Sequence, residues 1–224
     1  MRIIFARHGN TFGPDQIGGE KIIMAGRGQN IPLMTKGRAQ ARNLAGFLLK
    51  NKYLPSVMYA NHLIRTWEYA AIIRETLLQA GVQEMPLYLD DRLTEMDYGD
   101  WAGLLTAGES AESNQVIERF GAQAWNAWQK QRIAPQDAHW QTLPEQVILN
   151  WQRVFDEVLR QYLQEQQILV VTSQGNLSFL PHFLPGGMPV ALAENRFKVK
   201  TGNVCILDWD GKTWQLIAWD EKPQ

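Results

Sequence analysis

An apolar run, Ile3 to Ala6, stops abruptly at Arg7, His8 and Gly9. Two later stretches share that plan: VMYANHLIR carries His62 and Arg65 beyond an extended run, and ILVVTSQGN places Gln174 and Gly175 after a wholly apolar one. Glu95 follows a further extended run, in LTEMDYGDWAG. Open α/β sheets gather ligands beyond the carboxyl ends of their strands, where loops and helix N-termini present backbone N–H groups. If these ends converge, Arg7, His8, Arg65, Glu95 and Gln174 face one pocket.

That set is coherent for phosphate. Two guanidiniums can fork onto phosphoryl oxygens, an imidazole can attack phosphorus, and a carboxylic acid can protonate the departing oxygen. Gly9 would let backbone approach the anion. Neighbouring arginine charges would lower the imidazole pKa and keep His8 in the neutral form that attacks. An Arg-His pair at a strand end equally fits a surface ion pair or a capping feature, so the motif alone leaves both readings open.

The elements that must position these residues follow a βαβα order. Arg2 to Arg7 reads as a buried strand, and Thr35 as the N-cap of a helix with Ala41, Leu44, Ala45 and Leu48 at helical spacing. Ser56 to Ala60 reads as a strand and His62 to Ala80 as a helix. An extended run, Pro86 to Leu93, leads to Glu95. Residues 102–141 lose periodicity and read as an inserted cap. Thr142 and Glu145 form a capping box, with Pro144 in the first turn, for a helix burying Val147, Trp151, Val154, Phe155 and Val158. The tail after Pro189 reads as strands, ending in a hairpin that turns at Asp210 and Gly211.

At 224 residues the chain holds one generous α/β domain, here 1–224 with the insertion inside it. Apolar residues make up 45% and the net charge is −1, which excludes a disordered chain and a basic nucleic-acid surface. The single cysteine, Cys205, excludes an internal disulfide framework and a thiolate metal cluster, and reads as a small buried hydrophobe. No stretch approaches a membrane span or a secretory h-region, so the protein reads as soluble and cytoplasmic, without a membrane partner.

These segments together resemble the histidine phosphatase superfamily, the phosphoglycerate mutase-like family. ARHGNT resembles its nucleophile segment, and GRGQNIPLMTKGRAQARNLAGFL the stretch that opens the first long helix. ANHLIRTWEYA is similar to the segment with the second arginine, and LTEMDYGDWAG to the acid-bearing one. The resemblance implies a three-layer αβα sandwich with a mostly parallel central sheet. It further implies that His8 becomes phosphorylated, that Arg7 and Arg65 hold the phosphoryl oxygens, and that Glu95 acts first as acid and then as base. Gly9, Asn10, Gln174 and Gly175 complete the phosphate- and substrate-binding set. No metal or cofactor is expected, because positive side chains supply the charge stabilisation.

The match departs from the family at two places. The family's last signature places a histidine where this chain has Gln174, which keeps an NH₂ donor without the charge. His62, His139 and His182 read as structural and do not replace it. The second departure is Pro14, where many relatives carry an asparagine, and Asn10 is the nearest amide that could substitute. Trp101, Trp125, Trp128 and Trp140 lie in or beside the insertion and read as its packing core, with an aromatic wall for an organic leaving group as the other reading.

Three functions compete on this reading. The first is a metal-independent phosphomonoesterase, slow or specialised because of Gln174, acting on a small phosphorylated substrate. The others are a mutase-type phosphotransferase and a catalytically impaired phosphate-binding pseudoenzyme. An exposed edge in the carboxyl-terminal hairpin offers a route to a homodimer.

Overall fold

The computed structural model describes residues 1–11, 22–106, 112–162, 166–194 and 196–224. Pro14 lies outside the described residues. The chain runs β1 (Arg2–Arg7), α1 (Thr35–Lys50), β2 (Val57–Ala60), α2 (Ile64–Gln79) and β3 (Leu87–Leu89). It continues with α3 (Gln115–Gln131), α4 (Pro144–Gln161), β4 (Gln167–Thr172), α5 (Gln174–Leu177), α6 (Gly187–Ala193), β5 (Val204–Trp209) and β6 (Trp214–Glu221). Short 3₁₀ turns at Asp91–Leu93 and Gly99–Trp101 flank Glu95.

The strands form one six-stranded sheet in the order β3-β2-β4-β1-β5-β6. β1 to β4 pair in parallel, β5 runs antiparallel to β1, and β6 antiparallel to β5. Alternating side chains divide the core between the two faces. Ile4, Ala6, Met58, Leu169 and Val171 pack with Ala41, Leu44, Leu48, Tyr69 and Ile73 of α1 and α2. Ile3, Phe5, Tyr59, Ile168 and Val170 pack with Trp151, Val154, Phe155 and Val158 of α4 and with Trp101, Trp128 and Trp140. Helices therefore cover both faces of a mostly parallel sheet. Arg7 pairs with Thr172 at the last register position of β1 and β4, so His8 and Ser173 leave the sheet side by side.

Local differences from the sequence reading have physical causes. Leu143, not Thr142, holds the N-cap position of α4, and no side chain caps it. The Thr142 hydroxyl instead accepts the Asp97 N–H at 3.0 Å, which fastens the Glu95 segment. Periodicity fails in the insertion because α3 breaks at Gly121, with φ 84° and ψ 154°, and its two halves lie out of phase. Asn114 caps its start by accepting from Val116 and Ile117 N–H. The region around Pro189 is helical, not extended: Pro189 sits in the first turn of α6, where its missing N–H costs nothing. The β5–β6 hairpin turns as expected, with Asp210 accepting the Lys212 and Thr213 N–H groups.

Candidate active site

His8 stands just past β1 with its backbone N–H on Thr172 O at 3.0 Å. Its Nδ1 lies 2.8 Å from Gly9 O. A carbonyl oxygen only accepts, so Nδ1 carries the proton and Nε2 keeps its lone pair. The ring is 6% exposed, and burial, with Arg65 and Arg7 adding to it, holds its pKa well below the ordinary imidazole range. A neutral imidazole with a fixed tautomer therefore stands between two cations.

The two arginines reach it from different elements. Arg7 ends β1, and its Nη1 donates to Val199 O at 2.7 Å, while its Nε is buried without a partner. Arg65 lies in the first turn of α2, 1% exposed, with Nη1 donating to Gln29 O and Nη2 to Gly26 O. Burial lowers both pKa values and the Glu95 carboxylate opposes that shift. Both guanidiniums hydrogen-bond carbonyl oxygens, with Glu95 opposing both charges and Asp220 also opposing that of Arg7, so two cations share one buried carboxylate at this site.

Glu95 is 5% exposed. Its Oε1 accepts from Met96 N–H at 2.9 Å and Tyr98 O–H at 3.1 Å, and its Oε2 accepts from Gly175 N–H at 3.3 Å. Burial raises its pKa, against the pull of Arg65, the two backbone donors and Arg7. A carboxyl group whose pKa is raised holds its proton to higher pH and can then donate it to a departing oxygen. A Cβ on Gly175 would overlap Glu95 Oε1 and Tyr98 Oη, so only glycine lets the carboxyl group sit against that backbone.

One carbonyl fastens the acid-bearing segment to the strand ends. Leu93 O accepts from Asn61 Nδ2 and Thr172 Oγ1, each at 2.7 Å, and from Asn176 Nδ2 at 2.9 Å. Asn61 Oδ1 also accepts the Leu63 N–H and the Thr66 hydroxyl, setting the start of α2 and hence the position of Arg65. Sequence reasoning missed Asn61, Thr172 and Asn176. Asn61 and Thr172 had a signal, a short polar residue at a strand end, the usual place for a side chain that bonds backbone, whereas Asn176 lies within α5 and had none.

The binding candidates resolve differently. The Gln174 Nε2 donates to Phe197 O at 2.9 Å and its Oε1 accepts the Val199 N–H at 2.8 Å, so the amide braces the segment that holds Arg7. Asn10 Oδ1 accepts the Thr201 hydroxyl at 3.1 Å, and Asn10 N–H donates to Gln40 Oε1. Packing alone requires glycine at position 9, because a Cβ there would overlap the Gly37 backbone in the first turn of α1. His62 and His139 are exposed and pair with Asp91 and Asp100, and His182 stacks on Phe179. Cys205 is buried, its thiol pKa pushed up to about 12 by burial.

Arg132 was also missed. It follows α3 in the left-handed region, at φ 59°, and is 6% exposed. Its guanidinium lies 4.6 Å from the Trp128 ring and 4.7 Å from the Phe197 ring. Nη2 donates to Gln129 O, Nε is buried without a partner, and burial pulls its pKa down to about 10 while Tyr98 and Glu95 oppose the shift. Among the described residues no carboxylate forms an ion pair with it. A lone arginine in a segment without periodicity gave no sequence signal.

The four tryptophans pack as core. Trp140 meets Trp128 at 4.8 Å and Trp101 at 5.3 Å, both edge to face, and Trp125 lies against Trp101. Among the described residues no helix is long and apolar enough to cross a membrane.

The sequence profile described as histidine phosphatase superfamily (branch 1) matches residues 3–222. No curated protein sequence matches the chain significantly. Among solved structures, mycobacterial glucosyl-3-phosphoglycerate phosphatase superposes with a TM-score of 0.75 at 21% identity, over 99% of each chain. Shigella flexneri α-ribazole phosphatase gives 0.66 at 24% identity, over 99% of this chain and 97% of that one. Entamoeba histolytica phosphoserine phosphatase, in complex with phosphoserine, gives 0.67 at 18% identity, over 99% of this chain and 97% of that one. The mixed α/β architecture is the phosphoglycerate mutase-like fold. With a profile match over nearly its whole length, the chain belongs to the histidine phosphatase superfamily.

Proposed function

We propose that this protein hydrolyses phosphomonoesters through a covalent phosphohistidine at His8. The observation that carries the reading is the fixed tautomer: Nδ1–H is committed to Gly9 O, which leaves Nε2 its lone pair, and Arg7 and Arg65 bring positive charge to the ring. Nε2 attacks phosphorus, the bond to the ester oxygen breaks, and Glu95 gives its proton to that oxygen. The alcohol leaves. Glu95, now a carboxylate, takes a proton from water as the water oxygen attacks the phosphohistidine, and phosphate departs with His8 neutral again. Arg7 and Arg65 stabilise the phosphoryl charge in both steps.

Gln174 supports a slow enzyme. One of its N–H bonds and its oxygen are engaged with Phe197 and Val199, so it offers the phosphoryl group no charge and at most one N–H. Losing one preorganised donor costs on the order of 10²–10³ in rate, which bounds the deficit.

Arg132 favours an ester whose leaving group carries a second anion, because a buried guanidinium without a carboxylate gains most from an anionic ligand. Two neighbours are described as acting on such esters: phosphoserine and glucosyl-3-phosphoglycerate each carry a carboxylate beside the phosphate.

Incubation with 4-nitrophenyl phosphate and with phosphoserine, followed by mass spectrometry under conditions that preserve phosphohistidine, tests the mechanism. Phosphate on His8, absent in His8→Ala along with turnover, is the expected result. Equal phosphate release by wild type and His8→Ala would overturn it.

A further inference from the structure

The two oxygens of Glu95 are not equivalent. Oε1 accepts two hydrogen bonds, from Met96 N–H at 2.9 Å and Tyr98 O–H at 3.1 Å, and so has no lone pair left for a proton. Among the described residues Oε2 has one distant donor, Gly175 N–H at 3.3 Å. A hydroxyl-type oxygen is the poorer acceptor, so the geometry suits a carboxylic acid whose carbonyl oxygen is Oε1 and whose O–H is on Oε2.

The Tyr98 hydroxyl is held where it is from several sides. The residue is 4% exposed, with its ring edge to face with Trp140 at 4.9 Å and Trp128 at 6.0 Å. Gly175 closes the other side, since a Cβ there would overlap Tyr98 Oη. Burial and the adjoining Glu95 push the phenol pKa well above its ordinary value, so it remains a donor.

We propose that Tyr98 is a positioning residue that keeps Glu95 Oε1 a permanent acceptor and so confines the transferable proton to Oε2. The inference rests on the phosphohistidine reading and deepens it. Tryptophans of the 102–141 stretch press on Tyr98, so packing there is transmitted to the acid through one phenol. The charged groups facing Glu95 are Arg65 from α2 and Arg7 from β1, with Arg132 beyond α3 also coupled to it. Tyr98→Phe leaves each of them in place.

The test compares wild type, Tyr98→Phe, Glu95→Gln and the double variant on phosphoserine and on 4-nitrophenyl phosphate. An alkyl leaving group needs the proton; a nitrophenolate scarcely does. Tyr98→Phe is expected to lower kcat/KM about 10- to 100-fold on phosphoserine, the range for a hydrogen bond to a charged group, and far less on the aryl ester. Removing a donor to the carboxylate raises its pKa, so the falling alkaline limb of the kcat/KM profile moves up by about one pH unit. In the Glu95→Gln background the same change adds no further loss. An unmoved limb, equal losses on both esters, or additive losses would overturn the assignment.

Trapping phospho-His8 in the wild type separates the two failures. If phosphoenzyme forms while the limb stays, the role of Tyr98 is wrong and the mechanism stands. If none forms, both fall. A melting temperature for Tyr98→Phe close to wild type keeps misfolding out of the comparison.

Discussion

The Gln174 side-chain oxygen accepts the Val199 N–H at 2.8 Å, and Val199 O accepts Arg7 Nη1 at 2.7 Å. The Val199 backbone thus links the first residue of α5 to the arginine that ends β1. Gln174→Ala would strand a backbone donor and an acceptor, at about 1–3 kcal/mol. It should lower kcat/KM roughly tenfold and weaken inhibition by inorganic phosphate through Arg7. Steady-state kinetics with phosphate as competitor checks this, and unchanged phosphate affinity in the variant would contradict it.

Gly175→Ala is the cleanest steric test of the acid. The backbone at 175 does not need a positive φ, so alanine fits the chain and fails only where its Cβ meets Glu95 and Tyr98. Displacing a catalytic group by about an ångström costs on the order of 10²-fold in rate. The expected outcome is that loss on an alkyl phosphate with little change in melting temperature. A variant as fast as wild type would show that Glu95 need not sit where it does.

The pH dependence follows from two opposite shifts. His8 must be neutral to attack, and its pKa is held well below the imidazole range, so kcat/KM rises at a pH below that range. Glu95 must hold a proton, and burial raises its pKa, so kcat/KM falls only above the ordinary carboxylic range. The profile should be a bell whose rising limb lies below the imidazole range and whose falling limb lies above the ordinary carboxylic range, and Glu95→Gln should remove the falling limb. A rising limb within or above the imidazole range, or a falling limb that survives Glu95→Gln, would count against these assignments.

Arg132→Met should separate function from stability. Methionine matches the aliphatic stem and removes a buried charge that no carboxylate among the described residues partners, so the melting temperature should not fall. KM for phosphoserine should rise about tenfold, the lower end for a hydrogen bond to a charged group, and KM for 4-nitrophenyl phosphate much less. Equal changes in both would remove Arg132 from substrate recognition.

Much of the site can be read from short strings because each arises from a local rule. Arg7 and His8 follow an apolar strand without an intervening residue, and Arg65 falls in the first turn of the helix after β2. The helices around Leu44 and Trp151 declare themselves by spacing, whereas α3 hides because Gly121 puts its halves out of phase. Thr142 misleads because its hydroxyl bonds a distant backbone, Asp97, and not its own helix.

From the sequence alone came the family, the αβα layering and the residue types of the candidate site, since strand polarity, helical period and strand-end chemistry act over a few residues. Contacts between residues far apart in the chain were decided only in three dimensions. The Leu93 carbonyl gathers Asn61, Thr172 and Asn176, Gln174 is spent on Phe197 and Val199, and the Tyr98 hydroxyl donates to Glu95. No local pattern encodes which backbone group a buried amide or phenol will find, because that partner is chosen by the close packing of elements separated by tens of residues.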